Sequence, residues 1–209
     1  MKKKIIIACE ESQIVCKAFR ARGQEAYSCD ILPPSGGHPE WHIQGNILDH
    51  LDDGWDMMIA HPPCTRLTNA RVRWLHVPPV SKTLVEMWRD LFDGAELYRA
   101  IRDADIEQKC IENPIMHSHA RELVNPGYRQ VVQPWWFGDQ AFKATGFELI
   151  GLPDLIPTNK LTPPVSGTDE HKKWSIIHRM SPGPDRALLR SKTFPGIADA
   201  MASQWTEDL

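Results

Sequence analysis

The sequence predicts an α/β fold built on a mostly parallel sheet with helices on both faces. Three observations carry that expectation. Apolar runs of strand length, KKIIIA, EAYSCD, WDMMIA and KCIENP, alternate with segments of helical periodicity. IIIA and MMIA are apolar without a break, as strands covered on both faces are. The residues of chemical interest stand where the runs stop, at the carboxyl ends where ligands bind in such sheets.

Taken in order, KKIIIA reads as a buried strand and SQIVCKAFRARG as an amphipathic helix closed by Gly23. EAYSCD is a second strand ending in Asp30, followed by the Pro/Gly loop LPPSGGHPEW. HIQGNILDHL holds a short strand and a turn of helix, and WDMMIA a further strand. The long segment SKTLVEMWRDLFDGAELYRAIRDA is a helix, with Ser81 as its expected N-cap. KCIENP is a strand and HSHARELV a short helix, and RQVVQP and GFELIGL are strand candidates. Residues 151–185, rich in Pro, Gly, Thr and charge, read as an irregular excursion. TFPGIADAMASQW is a helix, with Thr193 or a near neighbour as cap and Pro195 in its first turn. The expectation is one domain over residues 1–209.

Composition narrows the function classes. The net charge of −3 is not that of a dedicated nucleic-acid-binding module, although Arg66, Arg71 and Arg73 cluster beside Cys64. Five cysteines without a CxxC pair argue against a disulfide framework and a zinc ribbon, and no metal site is expected. No run is long enough to span a membrane, and MKKKIIIACEES is a poor signal peptide, so the expected location is cytoplasmic.

The stretch HPPC holds the main candidate. Pro62 and Pro63 fix the backbone and remove two donors, so the chain cannot continue the sheet and Cys64 is held rigidly at a strand exit. His61 and Arg66 beside it are expected to favour the thiolate. Glu112, in ENP, stands at another strand end and would face the same cleft as a proton donor. Alternatively, it is a surface carboxylate capping the helix near His117. Asp30, at the end of the second strand, is placed to bond a ribose hydroxyl. For Asp49, Asp52 and Asp53 a solvated turn is the simpler reading. In QPWWFGDQAFKATGF, Trp135, Trp136 and Phe137 either stack on a base or belong to the core. Lys143 is a candidate phosphate contact.

The order of these pieces resembles the DNA cytosine-5 methyltransferases, specifically the short phage-type members. HPPCTRLTN resembles the family's Pro-Cys nucleophile motif, IENP its Glu-Asn motif, YSCD its acidic second motif, and RSKTFPGIADAMA its C-terminal cofactor motif. The resemblance implies a Rossmann-like, class I methyltransferase fold and methyl transfer to carbon 5 of cytosine in DNA. Cys64 would add to carbon 6, making carbon 5 electron-rich, while Glu112 acts at N3, its pKa raised by desolvation. The target base would be flipped from its duplex. Cofactor contacts are then expected from Glu10, Glu11, Ser12, Gln13, Asp30, Pro62 and Thr193. Substrate contacts are expected from Arg66, Asn69, Arg71, Arg73, Asn113, Trp135 and Lys143.

The chain departs from the family in two places. The first turn, ACEESQIV, has no glycine, although close backbone approach to S-adenosylmethionine calls for one. Glu10, Glu11, Ser12 and Gln13 would instead bind an amino group, or the donor is methylene-tetrahydrofolate. Second, residues 151–185 are too few for a target-recognition domain. Low sequence specificity, a specificity partner, a homo-oligomer or a free pyrimidine nucleotide as substrate would each answer that. The reading from another class is a non-catalytic nucleic-acid-binding protein of the same fold.

Overall fold

A computed structural model describes residues 2–181, 183 and 186–206. Pro182, Pro184 and Asp185, in the expected excursion, lie outside the described residues. Seven strands form one sheet: β1 (Lys4–Ala8), β2 (Glu25–Asp30), β3 (His42–Gln44), β4 (Met57–Ala60), β5 (Gln108–Glu112), β6 (Arg129–Val132) and β7 (Thr145–Ile150). Their order is β3-β2-β1-β4-β5-β7-β6, and β7 alone runs antiparallel to its neighbours. The α/β class expected from the sequence, a mostly parallel sheet with helices on both faces, is therefore the fold observed.

Strand alternation builds two apolar layers. Ile5 and Ile7 of β1 and Met57 and Ile59 of β4 point to one face, where α1 (Ile14–Ala21) and α7 (Pro195–Gln204) pack with Val15, Phe19, Ile197 and Met201. Ile6, Ala8, Met58 and Ala60 point to the other, against Met87, Leu91 and Tyr98 of α2 (Leu84–Asp103) and Ala120 of α3 (Ser118–Val124). These side chains are essentially fully buried, and each Ile, Val, Leu, Met and Phe among them contributes about 1.5–3 kcal/mol by leaving water. The unbroken runs IIIA and MMIA follow from burial on both faces.

The helix ends correct one expectation and bear out another. Thr83, not Ser81, caps α2. Its hydroxyl accepts from the Glu86 amide, and the Glu86 carboxylate accepts from the Thr83 amide at 2.7 Å, a reciprocal capping box. α7 is entered through Phe194, the immediate neighbour of Thr193, with Pro195 at its first position, as expected. The stretch expected to be irregular holds two short helices, α4 (Asp169–Trp174), capped by Thr168, and α5 (Ile176–Arg179). A third, α6 (Arg186–Ser191), follows. No helix among the described residues is long and apolar enough to cross a membrane.

Candidate active site

The parallel strands bring their carboxyl ends to one edge of the sheet. That edge collects the turn 9–13 after β1, Asp30 after β2, residues 61–64 after β4 and Glu112 after β5. Because β7 enters antiparallel, the connection from β6 to β7, carrying Trp135 and Lys143, lies at the same edge.

The register of β4 and β5 explains the centre of the site. Ala60 pairs with Ile111, so the next residues, His61 and Glu112, stand side by side. His61 Nδ1 lies 3.1 Å from Glu112 Oε2, and only 8% of the His61 side chain is exposed. The His61 amide continues the ladder by donating to Ala8 O at 2.9 Å. Pro62 and Pro63 then end it, and the chain turns back on the Cys64 carbonyl, which accepts from the amides of Leu67 and Thr68 at 3.0 Å each. The loop is stitched to the segment beyond β5. Thr68 bridges Met116, the Asn69 amide donates to Ile115 O at 2.7 Å, and the His117 ring bonds Arg66 O at 2.8 Å. Cys64 and Glu112 are therefore held on two tied segments.

Electrostatics correct two expectations about this pair. Burial and the Glu112 charge push the half-buried Cys64 thiol above its ordinary value, against its own turn's backbone, Lys143 and Arg71. The resting sulfur is a thiol, not the thiolate expected from His61 and Arg66. Glu112 moves the opposite way from expectation. Burial raises it, but the His61 hydrogen bond and the charges of Lys143 and His61 outweigh burial and hold it below the ordinary carboxylate value. It is ionised at rest. It does not cap α3 either; the His117 ring fills that place by accepting from the Ala120 amide at 3.1 Å.

Lys143 is thus close enough to act electrostatically on both Cys64 and Glu112, and its Nζ donates to Lys192 O at 3.3 Å. Asn113 is buried, its amide donating to Gly146 O at 2.7 Å and its carbonyl accepting from Arg129 Nε at 2.9 Å. Trp135 stands edge-on to Trp136, with Lys160 over its ring. Among the arginines, Arg66 is engaged through one nitrogen, while its Nη1 is buried without a hydrogen-bond partner among the described residues. Its Nε bonds Asp90 of α2 at 3.0 Å, and Lys82 shares that carboxylate at 2.5 Å. Arg71 stacks on Trp74 at 4.5 Å, and Arg73 is exposed. Asn69 is exposed and Pro62 buried.

The turn after β1 behaves differently. Cys9 and Gln13 adopt left-handed backbone angles (φ 58° and 57°) without being glycine. Glu10 is buried, and its carboxylate accepts from the amides of Val15 (2.7 Å) and Cys16 (3.2 Å), capping α1 in place of the N-cap side chain. Burial raises its pKa, against His61, both amides and Ser12. Ser12 leans on Glu10 at 3.4 Å. Glu11 accepts from Ser35, both hydroxyl and amide, the latter at its carbonyl at 2.8 Å. The fully buried Gln13 amide grips His38, donating to its carbonyl at 2.8 Å and accepting from its amide at 3.1 Å. The loop beyond β2 closes on this turn so tightly that a side chain at Gly36 would meet the Gln13 Cβ at 2.5 Å. Most of the polar groups expected to hold the amino-acid end of S-adenosylmethionine are engaged within the fold, so this turn does not offer them free to that group. Asp30, which accepts from the Leu32 amide at 2.9 Å, remains at the neighbouring strand end, beside Cys9.

Two open grooves lie elsewhere. One, lined by Lys4, Glu25, Tyr27, Ile43, Asp53 and Trp55, is at the opposite edge, where β1 and β2 begin; the other, with Lys17, Arg20 and Trp41, flanks α1. Neither includes Cys64 or Glu112.

Sequence reasoning missed the pairing of His61 with Glu112, because it read His61 only as a neighbour of the thiol. The signal was present: aligning MMIA with KCI, as parallel neighbours, puts the following His and Glu abreast.

Comparison with known proteins adds little beyond this geometry. No family model matches the chain, and no curated protein matches it. Among solved structures, the chain is similar to a candidate DNA modification methyltransferase encoded within a prophage of E. coli, at 15% identity and a TM-score of 0.46. The match takes in 75% of this chain and 51% of that one, so the chain spans about half the length of its neighbour. A likeness at that level says nothing of reaction or substrate.

Proposed function

We propose that the chain is an enzyme that transfers a one-carbon unit to carbon 5 of cytosine in DNA, through a covalent bond between Cys64 and carbon 6 of the base. The observation that supports this best is the pairing of a resting thiol with an ionised carboxylate on adjacent strand ends, under the influence of one lysine. Attack needs sulfur to lose a proton, and the ring needs N3 to gain one. One proton passed from Cys64 to N3, with Glu112 as carrier, satisfies both needs and leaves the net charge of the site unchanged. Lys143 opposes the negative charge that develops on sulfur and ring during that transfer. The two prolines keep the thiol in place, where about 1 Å of misplacement costs on the order of a hundredfold in rate.

S-adenosylmethionine is the first donor to test and methylene-tetrahydrofolate the second; no step here depends on how either is held. The deciding experiment incubates the protein with DNA and each donor, then measures nucleoside masses. A gain of one methyl or hydroxymethyl group on deoxycytidine is the expected result. A gain on deoxyadenosine, or on no nucleoside, overturns the reading. A free nucleotide as sole substrate would replace DNA in it.

A further inference from the structure

His61 carries more than its link to Glu112. The structure places the other ring nitrogen, Nε2, in the interior with no hydrogen-bond partner among the described residues. Such an atom is costly unless something meets it. Two carboxylates interact with the ring: Glu10 from the turn after β1, and Glu112, which in turn shares a field with Lys143 and Cys64. Glu10 spends both carboxylate oxygens on the α1 amides. Glu112, being ionised, can only accept, so Nδ1 carries the proton of the shared bond. A cationic ring would make Nε2 a second donor; the neutral ring, which this inference requires, leaves Nε2 as a lone-pair acceptor.

We infer that His61 is a two-ended positioning residue, its Nδ1 fixing the Glu112 carboxylate and its Nε2 held in reserve to accept a hydrogen bond from an amine on the bound ligand. This rests on the reading of Glu112 as the carboxylate that meets the base. The amine is either the exocyclic group of cytosine or the ammonium of an amino-acid-type donor. The required chemistry is the same, an N–H directed at a buried imidazole lone pair.

Nitrogen-15 NMR of histidine-labelled protein tests this directly. In the free protein the His61 ring should be the Nδ1–H tautomer, identified by assignment against His61→Asn. Two probes are then added separately: a single-stranded deoxycytidine oligonucleotide and S-adenosylhomocysteine. The probe that supplies the amine should shift the Nε2 resonance, and a deoxyuridine oligonucleotide, lacking that amine, should not. His61→Asn keeps a nitrogen donor near the Nδ1 position but has no Nε2. It should retain the fold and lose about five- to tenfold in affinity for that probe, the scale of one hydrogen bond. His61→Leu should lose more, because Glu112 is released as well. An Nε2–H tautomer or a doubly protonated ring in the free protein overturns the inference, as does binding of both probes without movement of Nε2. If calorimetry finds that neither probe binds, the functional reading fails first and this inference falls with it, so the two failures are distinguishable.

Discussion

The turn after β1 and the paired ends of β4 and β5 lie on the same edge of one sheet, and both carry buried polar groups. They treat polar groups in opposite ways. In the turn, Glu10, Glu11, Ser12 and Gln13 bond to backbone amides and to the loop that closes over them. At the paired ends, a thiol sits without its base, an ionised carboxylate faces it, and a ring nitrogen waits without a partner. A buried polar group satisfied internally is scaffold. One left unsatisfied amid reactive groups at a strand end, as His61 Nε2 is, is a place for a ligand. Residue type alone does not separate the two cases.

The sharpest break of this contrast is Cys64→Ser. Loss of the nucleophile should lower turnover on the order of 10⁴-fold or more and abolish the gel-stable adduct with 5-fluorocytosine DNA. Near-normal turnover would move Cys64 to the scaffold side. Next in size is Glu112→Gln, which should bind substrate almost normally and lose about a hundredfold in single-turnover rate. The same variant removes a negative charge that raises the Cys64 thiol. The pH midpoint of Cys64 alkylation should therefore move down in Glu112→Gln and up in Lys143→Met. Opposite signs would mean that these groups do not share a field.

Glu10 tests the other region. Replacing it by Ala removes the cap of α1 and should cost about 0.5–2 kcal/mol of stability, read by denaturant unfolding. Glu10→Gln separates cap from charge. Burial raises the folded-state pKa of Glu10 above its unfolded value, so its favourable contribution is full at low pH and lost as pH rises through the raised value. The difference in stability between wild type and Glu10→Gln should accordingly shift in favour of the variant as pH rises from acid to neutral. A variant that keeps its fold but loses donor binding would make the turn a binding site after all.

The smallest effect separates two arginines. Arg73→Ala should reduce the salt slope of DNA binding by about one unit, as loss of a phosphate contact does. Arg66→Ala should leave that slope unchanged and lower stability, because Arg66 is committed to Asp90. Filter binding across a salt series, beside thermal melts, reads both.

Much of the fold was legible. The apolar runs of β1 and β4 and the helical period of α1 and α7 are local facts that a sequence displays directly. The α2 cap was also there to read, since T-L-V-E at 83–86 is a capping-box pattern and S-K-T-L at 81–84 is not. The identities of Cys64 and Glu112 as paired strand-end residues were legible too. Their protonation states were not, because these depend on groups far along the chain. His61 meets Glu112 across 51 positions, and Arg66, expected beside the thiol, answers instead to Asp90 24 positions away. The same distance problem hid the spent state of Gln13, whose partner His38 comes 25 residues later.

The packing of α7 on α1 has a consequence for how the chain comes into being. β1 occupies the middle of the sheet, and its face carrying Ile5 and Ile7 is shared by residues 14–19 and 197–205. Lys3 even reaches Trp205 O at 3.0 Å, and the Gly196 amide is drawn onto Asp139 at 2.9 Å. During synthesis, then, α1 must wait for the much later α7 before its apolar side is covered. Through that interval the nascent chain exposes an aliphatic and phenylalanine surface to whatever else is in the cell. Pulse-labelled chains stopped before residue 195 should bind chaperone, and chains extended past 206 should release it.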